Sequence, residues 1–263
     1  MQSLTLSLFQ CATHWHDPAA NRALFDGLFE AVSSESNVLV LPEMFSTGFT
    51  MASQEVAEPM DGPTVTWLRE RAAARGQVLC GSLVVEHQDA YYNRFIWARP
   101  DGSIAHYDKR HLFRMADEHL HYDEGQERVV LEFDGWRILP LVCYDLRFPV
   151  WLRNVDDYDV LLCVANWPAA RRVAWQTLLK ARAIENLSYA VGVNRIGVDG
   201  NQVSYAGDSA AYDFAGSTLI ELGDGEQVAA VSLDPGVMRD HREAFPAWRD
   251  ADRFEISTQE TQV

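Results

Sequence analysis

Ile138-Leu-Pro-Leu-Val142, then Cys143, then Tyr144-Asp-Leu-Arg-Phe-Pro149 is the stretch on which the reading of this 263-residue chain turns. The apolar run has the length of a buried strand. The residues after the cysteine break it, and Trp151-Leu-Arg starts a helical pattern. A cysteine at the corner of a strand–turn–helix unit resembles a nucleophile elbow, which lifts a reactive side chain out of a sheet and leaves backbone N–H groups free beside it. A thiol so placed can attack a carbonyl carbon when a base removes its proton and donors hold the oxyanion.

The other three cysteines read differently. Cys80 and Cys163 lie inside the apolar runs Val78-Leu-Cys-Gly81 and Val160-Leu-Leu-Cys-Val164, where a buried, inert thiol is expected. Cys11 just follows the first strand and reads as structural. No CxxC pair occurs, and so few cysteines in a chain of this size indicate reduced thiols.

Outward from Cys143, strand-like runs alternate with helical patterns. Strands are expected at 4–9, 38–41, 78–85, 91–98, 104–107, 129–133, 138–142, 160–164, 188–193, 210–214, 218–222 and 228–233. Helices are expected at 21–33, 64–75 (stopped by Gly76), 173–186 and 235–244. Hairpins interrupt the crossovers, so the fold class is α/β with mixed sheets. No linker, charge block, low-complexity tract or repeat is visible, which favours one domain over residues 1–263, with a core of about 4–235 and a polar tail at 256–263.

Composition excludes several functions. A hydrophobic content of 48% is that of a globular protein, and a net charge of −16 opposes nucleic-acid or anionic-membrane partners. The N-terminus alternates apolar and polar residues like a first strand, without the features of a signal peptide. No window approaches the roughly 18 apolar residues of a membrane span. A cytoplasmic protein is expected.

Two residues at other strand ends suit the thiol. Glu43 follows the run Val38-Leu-Val-Leu41 through Pro42; a partly buried carboxylate there can act as general base. Taken alone, it reads equally as a cap or salt bridge. Lys109, in Tyr107-Asp-Lys-Arg-His-Leu-Phe113, reads alone as a solvated charge; near Cys143 its ammonium would stabilise a thiolate and a developing oxyanion. Phe45 and Tyr144, being neighbours of Glu43 and Cys143, are candidates to line a substrate pocket. Arg147 has two readings, a bidentate hold on a substrate carboxylate or an ion pair with Asp145.

Leu41-Pro-Glu43-Met-Phe, Tyr107-Asp-Lys109-Arg-His-Leu-Phe and Leu141-Val-Cys143-Tyr-Asp-Leu-Arg-Phe-Pro, in that order, resemble the three signatures of the nitrilase (carbon–nitrogen hydrolase) superfamily. Val164-Ala-Asn-Trp-Pro168, Lys180-Ala-Arg-Ala-Ile-Glu-Asn186, Val193-Asn-Arg195 and Gly207-Asp-Ser209 extend the resemblance. It implies a catalytic set of Glu43, Lys109 and Cys143, with an oxyanion held by Lys109 and the backbone N–H of Tyr144. A second glutamate after the lysine motif is implied at Glu118, with Asp117 and Glu124 as competing positions. Trp167 would line the pocket.

The segment 109–122 and the run after Cys143 most resemble the ω-amidase branch, whose implied substrates are linear ω-amides of dicarboxylic acids such as 2-oxoglutaramate. Nitrile hydrolysis, N-carbamoyl hydrolysis and amide exchange would use the same three residues. A silent binding protein on the same fold is the reading from another class. The resemblance further implies a four-layer α/β/β/α sandwich and a homodimer paired through its helical layer and C-terminal segment 236–263.

No cofactor is expected. Neither GxxxxGK[ST] nor GxGxxG occurs, so nothing marks a nucleotide site. The pairs His14/His16 and His119/His121 lack zinc-site spacing and read as loop histidines, so no metal is expected.

Overall fold

The computed structural model of the protein describes residues 1–252 and 254–256. Two six-stranded mixed sheets form its centre. The first runs in the order β14 (Gln227–Leu233), β1 (Leu4–Gln10), β2 (Val38–Val40), β3 (Val78–His87), β4 (Ala90–Ala98), β5 (Ile104–Asp108). The second runs β13 (Thr218–Glu221), β12 (Ala210–Tyr212), β9 (Tyr189–Asn194), β8 (Val160–Ala165), β7 (Trp136–Val142), β6 (Leu131–Phe133). Each has a parallel trio at its centre, β1-β2-β3 and β7-β8-β9, with antiparallel strands at its edges. A small hairpin, β10 (Ile196–Val198) with β11 (Ser204–Ala206), stands apart and has no counterpart in the expected strands.

Alternation along the strands builds the layers. Leu4, Leu6 and Leu8, Val38 and Val40, Val78 and Cys80, Phe95 and Trp97 face the second sheet and share one core with Ile138, Leu141, Leu162 and Val164. The alternate residues Phe9, Leu39, Leu41, Leu79 and Ile96 face outward onto helices α1 (Pro18–Phe29) and α3 (Pro63–Arg75), through Phe25, Phe29, Val65 and Leu68. Each such fully buried aliphatic side chain stabilises the fold by about 1.5–3 kcal/mol. Helix α5 (Arg172–Asn186) covers the second sheet with Trp175, Leu179 and Ala183. It approaches so closely that a Cβ on Gly192 would lie 2.6 Å from Leu179 Cδ2 and 2.7 Å from Trp175 Cζ2. The result is helix, sheet, sheet, helix. Short helices α2 (Ser53–Val56) and α4 (Pro149–Leu152) sit in connections, and α6 (Pro235–Ala244) follows β14.

Local chemistry explains the element ends. α3 stops at Gly76, which caps it in the left-handed conformation at φ +65°. α1 starts three residues before the expected 21 and ends at Phe29. Asp17 accepts the Ala20 N–H at 2.9 Å as its N-cap and Pro18 takes the first turn, a start signal stronger than the apolar periodicity. α6 matches expectation, capped by Asp234. The expected tail beyond residue 256 lies outside the described residues. Among the described residues, no helix is long and apolar enough to cross a membrane.

Candidate active site

β2, β5, β7 and β8 deliver their C-terminal ends to one region, the usual place for a site in an α/β sheet. Cys143 follows β7 directly and opens a 3₁₀ turn, Cys143–Arg147, before α4. Its φ is +48°, a left-handed conformation that costs energy for a residue with a side chain and is held by its surroundings. Asp145 supplies much of that hold. Its carboxylate accepts from Val142 N (3.0 Å), Tyr107 OH (2.9 Å) and His111 N (2.9 Å), and His111 Nδ1 lies 2.8 Å away. His111 in turn stacks on Phe148 at 3.7 Å. Arg182 of α5 donates from Nε and Nη2 to the Leu146 carbonyl at 3.0 and 2.9 Å. The turn bearing the thiol is thus tied both to the segment bearing Lys109 and to the covering helix.

Glu43 is 1% exposed and fully hydrogen-bonded. Oε1 accepts from Lys109 Nζ at 3.0 Å and Asn93 Nδ2 at 2.7 Å; Oε2 accepts from Asn166 N at 2.7 Å. Its negative charge also acts on the Cys143 thiol. Glu118 is completely buried and takes Lys109 Nζ on both oxygens, each at 2.9 Å, while Oε2 accepts the Phe113 N–H at 2.6 Å. The structure therefore brings Glu43, Lys109, Cys143 and Glu118 together. Of the two residues competing with Glu118, Asp117 is exposed, and Glu124 pairs with Arg110 at 2.9 Å.

Burial, together with the negative charge of Glu43, holds the Cys143 thiol well above its ordinary pKa, against a smaller opposing pull from Lys109. The resting group is a neutral thiol facing a carboxylate. Burial also acts against the Lys109 ammonium, but the charges of Glu118 and Glu43 outweigh it and raise its pKa. Glu118 is raised by burial, opposed by Lys109 and reinforced by Glu43. Cys80 and Cys163 are pushed far up by burial, and Cys11 to about 12, as suits inert thiols.

A cavity of about 400 Å³ opens onto Cys143 and Lys109. Tyr144 and Trp167 line it, as expected. Phe45 does not: it lies in the helix-side core, 5.4 Å from Phe25 and 6.0 Å from Trp67. Met44 explains the difference, because its φ of +41° turns the chain and ends the strand-like alternation after Glu43. Phe49 stands in the wall instead. Arg147 neither lines the cavity nor pairs with Asp145; its guanidinium lies over the Trp167 ring, 4.9 Å from the centroid. The cation that does line the cavity beside Lys109 is Arg171, over the Phe113 ring at 5.3 Å and without an ion pair among the described residues. Asn93, Asn166 and Arg171 carry no role in the sequence reading, and Asp145 enters it only as the ion-pair partner in one reading of Arg147. Asn166 alone had a usable signal, standing at the end of β8 as Cys143 does at the end of β7.

Among the described residues, no group of three or more His, Cys, Asp or Glu side chains is placed to hold a metal ion. His16 Nε2 meets Thr50 Oγ1 at 2.8 Å, His119 lies in the 3₁₀ turn Glu118–Leu120, and His121 caps that turn.

Residues 5–243 match the family model described as carbon–nitrogen hydrolase. The chain belongs to the carbon–nitrogen hydrolase family. It is 46% identical to "Omega-amidase YafV" of Escherichia coli (strain K12), over 97% of this chain and 100% of that protein. It is 34% identical to "2-oxoglutaramate amidase" of Bacillus subtilis (strain 168), over 94% and 96%. Among solved structures, XC1258 from Xanthomonas campestris, a CN-hydrolase superfamily protein with an arsenic adduct in its active site, superposes with a TM-score of 0.95 at 49% identity, over 98% of this chain and 100% of that one. The carbon–nitrogen hydrolase fold expected from the three motifs is the fold observed.

Proposed function

We propose that the protein is a thiol amidase that hydrolyses linear ω-amides of dicarboxylic acids, of the 2-oxoglutaramate type, to the acid and ammonia. The observation that carries this reading is the Lys109 ammonium bridging Glu43 and Glu118, with the Cys143 thiol under the negative charge of the same Glu43. Glu43 accepts the Cys143 proton as sulfur attacks the amide carbonyl. The tetrahedral oxyanion is held by Lys109 and the Tyr144 N–H, which stands at the open start of the 3₁₀ turn. Protonation of Glu43 weakens its grip on Lys109, freeing an N–H for the oxyanion as charge develops there, an interaction stronger in the transition state than before it. Glu43 returns the proton to the departing nitrogen, ammonia leaves, and a thioester remains. Water, deprotonated by the same carboxylate, attacks the thioester; its collapse releases the acid and restores the thiol. Glu118 is a positioning residue for Lys109.

The names of the relatives support an acidic ω-amide as substrate, and the cavity supports it too. Its walls are largely apolar, through Phe49, Met51, Phe113 and Trp167, and suit a short methylene chain. Lys109 is engaged by two carboxylates, which leaves Arg171 as the lining cation able to meet the far carboxylate. The four free cysteines support a reducing, cytoplasmic setting. The half-exposed Val150, Val155 and Phe254, gathered along one groove, support pairing of two copies. Purified protein is expected to release ammonia from 2-oxoglutaramate and Cys143→Ala to release none; turnover retained by the variant would sink the mechanism.

A further inference from the structure

Asn166 has an atom for which the mechanism above has no use. The residue follows β8, lines the cavity and is 4% exposed. Its Nδ2 donates to the Glu43 carbonyl oxygen at 2.7 Å and reaches Oε2 at 3.5 Å, while its backbone N–H donates to Oε2 at 2.7 Å. Those acceptors fix the orientation of the side-chain amide, because a flipped amide would set Oδ1 against a carbonyl oxygen and a carboxylate. Oδ1 is the end left over, buried and without a donor among the described residues. A buried acceptor without a donor is costly and calls for a reason. Asn93 Oδ1 is in the same condition, but Asn93 does not line the cavity, so a substrate does not reach it.

We propose that Asn166 Oδ1 reads the amide –NH₂ of the substrate and makes the site selective for primary amides over nitriles. The inference rests on the amidase reading and deepens it. With the carbonyl carbon over Cys143 and its oxygen toward Lys109, the –NH₂ group points to the Glu43 side of the cavity, where Asn166 stands. One N–H donates to Oδ1, and the nitrogen lone pair is left toward the proton that Glu43 will return. A nitrile nitrogen has no hydrogen to offer and leaves Oδ1 unpartnered. The product carboxylate sets an oxygen lone pair against Oδ1, which favours its departure. Asn166 thus bears on both the choice of substrate and the release of product.

The test uses Cys143→Ala, so that affinity is measured without turnover. Calorimetry compares 2-oxoglutaramate with its ω-nitrile counterpart and with the methyl ketone that replaces –NH₂ by –CH₃. The amide is expected to bind about tenfold more tightly than either, the effect of one hydrogen bond to a buried acceptor. Adding Asn166→Ser, or Asn166→Leu where the serine variant does not hold its fold by circular dichroism, removes that preference by weakening the amide alone. A purely structural role for Asn166 would weaken all three ligands together. Absence of the preference in Cys143→Ala, or its survival in the double variant, overturns the proposal. Failure of the amidase reading shows separately, as no ammonia released from any ω-amide by the unsubstituted protein.

Discussion

Glu118 holds Lys109 with both carboxylate oxygens, each 2.9 Å from Nζ, and it does so from a fully buried position. With Glu43 at 3.0 Å, three carboxylate oxygens surround Nζ and fix the direction in which the charge faces. Glu118→Gln keeps the shape and removes one charge. Steady-state ammonia release is expected to lose kcat by about 10²-fold with KM little changed, in line with loss of one oxyanion donor elsewhere. A variant with full kcat would show that Lys109 needs no second glutamate.

Arg171→Gln separates the acid end of the substrate from the amide end. Removing a charge-assisted contact to a carboxylate should cost about 1.5–3 kcal/mol, or about 10- to 100-fold in kcat/KM for 2-oxoglutaramate. Hydrolysis of a neutral amide of equal length should be unchanged. Parallel losses on both substrates would remove Arg171 from the recognition of acids.

Asp145 gathers contacts from Val142, Tyr107 and His111 and joins the cysteine turn to the lysine segment. Asp145→Ala leaves buried donors without an acceptor and should lower stability by about 3–5 kcal/mol. Urea denaturation measures this directly. A midpoint within error of the parent would mean that the turn holds itself.

Alkaline stability follows from the thiols. Cys11, Cys80, Cys143 and Cys163 all have folded pKa values raised by burial. For a raised pKa the stabilisation is complete below the unfolded value and is lost as pH rises toward the folded one. Stability should therefore fall above about pH 8.5, by about 1.4 kcal/mol per pH unit for each thiol ionised only in the unfolded chain. Lys109 is raised as well, so its contribution persists through that window until its own unfolded value, near 10.4, is passed. Urea midpoints between pH 8 and 10 measure the decline, and a Cys163→Ala variant should show a shallower one. A flat profile would contradict the burial of these groups.

Much of this was legible in the sequence, for a physical reason. Glu43 and Cys143 each follow an apolar run that ends in a break, Lys109 follows the expected strand 104–107, and strand ends are where a sheet exposes side chains to a site. Glu118 was reachable only through its offset from the lysine motif. Asn93 lies inside β4, where a polar residue looks like any solvent-facing strand position, and its burial comes from packing that no local pattern encodes. Phe45 and Arg147 were misplaced because sequence adjacency stood in for spatial adjacency. The left-handed residue Met44 and the 3₁₀ turn after Cys143 redirect those side chains. Arg171 had only its position a few residues beyond β8, too loose a signal to separate it from a surface cation.

Glu43 and Lys109 follow strands of the first sheet, whereas Cys143 and Asn166 follow strands of the second. Neither half of the sandwich carries a working site. Chemistry becomes available only when the two sheets close on their shared core at the right spacing, so turnover reports on that closure. A substitution deep between the sheets, such as one at Trp97 or Leu162, can silence the enzyme without touching any group that meets the substrate.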